Sequence, residues 1–128
     1  MRPALARNWC VFDIDEHPYV AQAVELAASS GISVAISNPC IELWFLLHFQ
    51  DQTAALHRHD AQRKSCELLN CKKSPTAEAP AELVTHYEDA RRRAQELDRE
   101  HEGDGSPPGS NPSSGAWRLI DRLRDPGS

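Results

Sequence analysis

The residues best suited to chemistry lie in the octet Val11-Phe12-Asp13-Ile14-Asp15-Glu16-His17-Pro18. An apolar entry runs into two alternating carboxylates and stops at a proline. Side chains two apart on a strand point the same way, so Asp13 and Asp15 can share one pocket at a strand end. Two carboxylates held together in water suit a hard divalent cation, Mg2+ or Mn2+. Burying both without such a cation is costly. The same residues also have a purely structural reading, because Asp, Glu, His and Pro are ordinary after a strand. Asp15 or Glu16 would then favour the N-terminus of the next helix, with Pro18 near its first position.

Two further groups carry chemistry-bearing side chains. The stretch Ile41 to Phe49 is apolar nearly all round and interrupted only by Glu42 and His48. A helix of that composition is buried on most sides, and a buried carboxylate needs a proton, a partner or a metal. Glu42 falls in the first turn, where the helix dipole favours negative charge. His48 reads as a satisfied core or edge histidine, since six residues from Glu42 is not a same-face spacing. The second group is His57, His59, Cys66 and Cys71, which could assemble into a zinc site but fit no tight finger spacing. The remaining cysteines, Cys10 and Cys40, sit in apolar runs and read as core residues. A disulfide scaffold is not expected at this apolar content.

The chain has 128 residues, 40% hydrophobic and 26% charged, enough for one modest domain with a core. Nineteen acidic residues against fourteen basic give a net charge of -5. That balance argues against wrapping nucleic acid by charge alone, but leaves room for a nuclease whose carboxylates carry metal. The run Arg91-Arg92-Arg93 reads as a solvated helix face. The longest apolar stretch is too short to span a membrane, and no hydrophobic signal region follows Met1 to Asn8, so a cytoplasmic protein is expected.

The elements that must position these side chains follow from periodicity. Trp9 to Asp13 is a short buried strand. Val20, Val24 and Ala27 recur at helical spacing and mark a helix from about Pro18 to Ser30, ended by Gly31 in a left-handed conformation. Ile32 to Ile36 is the next strand, and the order strand, helix, strand predicts a parallel crossover. Asn38 is a natural N-cap and Pro39 a natural first residue for a helix to about Phe49. Asp51 to Leu69 reads as one or two short helices broken near His59-Asp60. A longer helix begins at Ala81, with Leu83, Tyr87, Ala90, Ala94 and Leu97 in one stripe, and ends near Arg99 or His101. Glu102 to Ser114 is rich in Gly, Pro and Ser and reads as flexible. Trp117, Ile120 and Leu123 line one face of a terminal helix.

The expected organisation is therefore an α/β core with a helical extension over residues 1–100, a linker over 101–114, and a C-terminal helix over 115–128 docking on the core. Two parallel strands cannot make a stable sheet alone. Either strands are recruited from elsewhere or the chain is the later part of a larger domain.

The stretch from Trp9 to Pro18, the block Ile36-Ser37-Asn38-Pro39-Cys40-Ile41-Glu42-Leu43-Trp44-Phe45-Leu46-Leu47-His48-Phe49, and the late Asn111-Pro112-Ser113-Ser114 together resemble the RloB-like family. The resemblance runs from about residue 9 to residue 124. Proteins of that family are bacterial, lie near restriction systems and are associated with phage defence. Their fold is similar to the Toprim domain of topoisomerases and primases, so the resemblance implies a partial Toprim-like parallel sheet with an extensive helical C-terminal part. It also implies Asp13 and Asp15 as a Mg2+ or Mn2+ pair, with Asn38 and Glu42 near the site. The strand and catalytic glutamate that open such domains would precede Trp9, which implies a truncated member or one whose start lies upstream.

Two functions follow. The first is a Mg2+-dependent, nuclease-like cleavage of phosphodiesters within a bacterial defence system, with nucleic acid as partner. Asp13, Asp15 and Glu42 would be catalytic, and Asn38 and His17 would contact substrate, the helix start after Asn38 helping to hold an anion. Without the upstream glutamate, cleavage by this chain alone requires Glu42 to substitute, with its helix start facing the aspartates. The second is a non-catalytic component of a restriction or phage-defence system, binding another defence protein or itself through the long helix and the Trp117 helix.

Overall fold

The computed structural model describes residues 9–14, 19–69 and 83–124. Strand β1 is Trp9–Asp13, helix α1 is Val20–Ser29 and strand β2 is Ser33–Asn38. The strands pair in parallel, with Trp9 opposite Ser33 and Asp13 opposite Ser37. Helix α1 makes the crossover that parallel strands require. Its end is closed by Gly31, whose φ of 72° is the left-handed conformation expected of it. The Ile32 amide reaches back to the Ala27 carbonyl at 2.8 Å and the Gly31 amide to Ala28 at 3.2 Å, which satisfies the last carbonyls of the helix.

Helix α2 is Ile41–Leu47, shorter than its apolar run suggests. It does not start at Asn38. The peptide between Asn38 and Pro39 is cis, β2 continues through Asn38, and Cys40 takes the N-cap position without a side-chain cap bond. Leu43, Trp44, Leu46 and Leu47 are buried, as an all-round apolar helix requires. Helix α3, Arg58–Leu69, is unbroken, and His59 and Asp60 lie in its first turn. Asp60 is favourable there because of the helix dipole, which is why no break is needed.

Helix α4 is Tyr87–Asp104 and buries Tyr87, Ala90, Ala94 and Leu97 on the expected stripe. It runs past His101 and closes at Gly105, again left-handed with φ 77°. The stretch expected to be a linker therefore carries the last turn of α4. It also carries β3, Ser113–Ser114, which pairs antiparallel with β2 through Ser37–Ser114 and Asn38–Ser113. Helix α5 is Ala116–Arg124. The sheet order β1-β2-β3 puts β2 in the middle, and α1, α2 and α5 all pack on it.

The chain is thus an α/β fold with a parallel pair and a largely helical remainder. Its core is α2 against α4, with Leu43, Leu46 and Leu47 fully buried beside Ala90, Ala94 and Leu97. Alanines on the α4 face let the bulky face of α2 approach closely. The arginine run is not simply a solvated face. Arg92 is exposed and pairs with Asp89 and Glu96. Arg93 instead donates to the Leu47 carbonyl at 2.7 Å, a cationic cap on the C-terminus of α2. Arg91 is bound to Asp121 of α5. Among the described residues no helix is long and apolar enough to cross a membrane.

Candidate functional site

Asp13 closes β1, and the chain after β2 turns at Asn38-Pro39 into α2. Both strand ends therefore meet the start of α2. Asp13 Oδ1 accepts the backbone N–H of Ile41, the first helical residue, at 2.8 Å. That N–H is one of the helix-start donors with no partner inside the helix, and a carboxylate there also suits the dipole. Asp13 thus supplies the side-chain acceptor at the start of α2, a helix distant in sequence, while Asp15, Glu16, His17 and Pro18 lie outside the described residues.

Cys40 and Glu42 complete the cluster. Cys40 is fully buried. Burial first, then its hydrogen bond to Glu42 and the negative charges of Glu42 and Asp13, push its thiol up to about 12. A thiol in that state is inert rather than nucleophilic. Glu42 Oε1 is buried and has no hydrogen-bond partner among the described residues. Two carboxylates from different elements thus act on one sulfur at the C-terminal end of a parallel pair, the end at which open α/β sheets bind ligands.

Asn38 is turned to a different task. Its Nδ2 donates to the Gly109 carbonyl at 2.9 Å and ties β2 to the turn after α4. The second Asn-Pro, also cis, behaves similarly. Asn111 grips the Leu56 backbone from both sides, accepting from its N–H at 3.0 Å and donating to its carbonyl at 2.9 Å. Between these anchors Ser37 Oγ and Ser114 Oγ form a buried hydrogen bond of 2.8 Å. Ser114 Oγ also accepts the Ala116 N–H at 3.2 Å and so starts α5.

The other candidates separate. His48 is buried and its Nδ1 donates to the Trp44 carbonyl at 2.9 Å, so it is a satisfied core histidine. His57 Nδ1 accepts the His59 N–H at 3.1 Å, and Cys66 is half-buried on α3. Cys71 lies outside the described residues. Among the described residues no group of three or more His, Cys, Asp or Glu side chains could hold a metal ion.

A second polar network escaped sequence reasoning. The Tyr87 hydroxyl donates to Asp121, and the same carboxylate takes Arg91 Nε at 2.9 and 3.1 Å. The Tyr87 phenol is pushed upward by burial and by Asp121. The only sequence trace of this network is an acidic residue, Asp121, standing in an otherwise basic helix.

The class defined by these features is an α/β protein whose parallel strand ends converge on a buried helix. The model of the RloB-like protein family matches residues 2–123, and the chain belongs to that family. No curated protein and no solved structure matches it.

Proposed function

We propose that the C-terminal edge of the parallel pair is a divalent-cation site and that the chain is a Mg2+-dependent phosphodiester-cleaving protein of a bacterial defence system. The observation that supports this reading is the buried Glu42 Oε1, unpartnered among the described residues, whose carboxylate acts on the same Cys40 sulfur as that of Asp13. An orphaned carboxylate oxygen costs free energy until a proton or a cation reaches it. Hard oxygen donors fit Mg2+ or Mn2+. Asp13 and Asp15 would hold the ion, with Glu42 beside them, and the ion would polarise a phosphate and offset its charge. Asn38 then serves as a positioning residue, because its amide fixes the Gly109 turn beside the strand end. His17 would meet substrate next to Asp15.

One observation favours a second reading. The bond from Ile41 N–H gives Asp13 a structural task already, as in a non-catalytic component that binds a defence partner or a second copy of itself.

The test is Mn2+ calorimetry on the wild-type chain, Glu42→Gln, and the double variant Asp13→Asn with Asp15→Asn, followed by cleavage assays on single- and double-stranded DNA and RNA. Binding that weakens at least tenfold in Glu42→Gln and vanishes in the double variant is expected. Equal binding in all three folded proteins, or none in the wild type, would overturn the cation reading and leave the partner-binding one.

A further inference from the structure

A second surface lies at the other end of the strands. Trp9 and Ser33, the paired first residues of β1 and β2, border an open cleft of about 720 Å3. Asp13 ends the same strand, roughly 13 Å away at the usual rise per residue. Arg91, Arg118, Arg122 and Arg124 line this cleft, against the two carboxylates Glu88 and Asp121. Four guanidiniums in one cleft are out of keeping with a chain whose net charge is -5.

The arginines are held in place rather than loose. Arg91 and Arg118 lie over the Trp117 ring, their guanidinium carbons 5.5 and 4.7 Å from its centre. Arg124 lies over the Tyr87 ring at 4.8 Å. Aromatic faces orient a guanidinium while leaving its edge N–H groups pointing outward. The carboxylate partners differ in strength. Arg91 is locked on Asp121 at 2.9 Å. Arg118 meets Asp98 only at 3.6 Å and Arg124 meets Glu88 only at 3.7 Å, both with more than half of the arginine side chain exposed. Exposed ion pairs of that length contribute little, so a better anion displaces them readily.

We propose that this cleft binds the phosphodiester backbone of a single-stranded nucleic acid. Arg118 and Arg122 are four apart on α5 and so stand about 6 Å from one another at their Cβ atoms, a spacing that suits successive phosphates on one strand. Each guanidinium offers a planar fork that matches a phosphate. Trp9, half-buried at the cleft border, gives a base a ring to stack on. This binding is independent of the cation site.

The test is fluorescence anisotropy with a labelled twelve-nucleotide single strand, as RNA and as DNA, in EDTA, on the full chain. Arg118→Gln with Arg122→Gln should weaken binding at least tenfold, and should lower the slope of log affinity against log salt by about 1.4, at about 0.7 per phosphate contact on a single strand. Arg63→Gln, which removes one exposed charge on α3, should leave binding unchanged, and thermal melts confirm that each variant is folded. The proposal is overturned by no binding to the wild type, by equal losses in Arg63→Gln, or by poly-glutamate of matched charge competing as well as unlabelled oligonucleotide. The last result would assign the cleft to an acidic protein. Because EDTA removes the cation, failure here is distinct from failure of the cation reading.

Discussion

Replacing Asp13 separates a structural carboxylate from a ligating one. In Asp13→Ala the Ile41 N–H loses its acceptor at 2.8 Å. Loss of a side-chain acceptor at a helix start costs about 1–2 kcal/mol. Asp13→Asn keeps an oxygen in place and loses only the charge facing the helix dipole, about 0.3–1 kcal/mol. Removing the charge also relieves its effect on the neighbouring Cys40, so the Asn variant should fall at the lower end. For a domain of this size the shifts correspond to about 4 °C of melting temperature per kcal/mol. Urea unfolding in EDTA is the assay, because without a cation only the helix-start bond is lost. The expected order of stability is wild type, then Asp13→Asn, then Asp13→Ala. An Ala variant as stable as the wild type in EDTA would falsify the assignment of Asp13 to α2. Repeating the series with Mn2+ at about 100 times its dissociation constant adds about 2.7 kcal/mol to a protein that binds it only when folded. That increment should appear in the wild type alone.

Three further outcomes are expected. Leu43→Ala empties a fully buried position between α2 and α4 and should cost about 3–5 kcal/mol by urea unfolding, with a smaller loss for Leu43→Met. Burial holds the His48 imidazole below its ordinary 6.5, so the unfolded chain takes up the proton first; stability is full above pH 6.5 and falls as pH drops below it, and His48→Gln should flatten the melting temperature between pH 5.5 and 7. Ser37→Ala leaves buried Ser114 Oγ without its 2.8 Å partner and should cost about 1 kcal/mol, while the double Ser37→Ala, Ser114→Ala variant should cost less than the sum of the singles, a coupling read from a double-mutant cycle.

Local patterns predicted local structure well here. The position of the strand at Trp9–Asp13, the left-handed close at Gly31 and the buried stripe of α4 each depend on residues within a few positions of one another, and each was legible; the burial expected of that strand and of Cys10 was not met, since the strand is half-buried and Val11 is exposed. The start of α2 was not. Asn38-Pro39 is a strong local helix-start signal, yet Asn38 spends its amide on Gly109, 71 residues away, and the helix takes its acceptor from Asp13, 28 residues away. Strand β3 was missed for a similar reason. Two serines carry no strand periodicity, and only the pairing with Ser37 and Asn38 defines them. At the candidate site, the sequence singled out Asp13 as half of a carboxylate pair and Glu42 as a first-turn carboxylate of α2. It did not show that Asp13 is already hydrogen-bonded there, because that bond depends on how β1 and α2 meet in space. The arginine cleft was illegible because Arg91 and the α5 arginines belong to different helices.

Helix α2 is fastened by opposite charges at its two ends, Asp13 at Ile41 and Arg93 at Leu47. A ligand that draws Asp13 toward itself must compete with the helix for the same oxygen. Occupancy would then be felt as a loosening of the Ile41 amide and, through the buried face of α2, at α4. Amide exchange at residue 41 is therefore a built-in reporter of anything that binds at the strand ends, whether or not any chemistry follows.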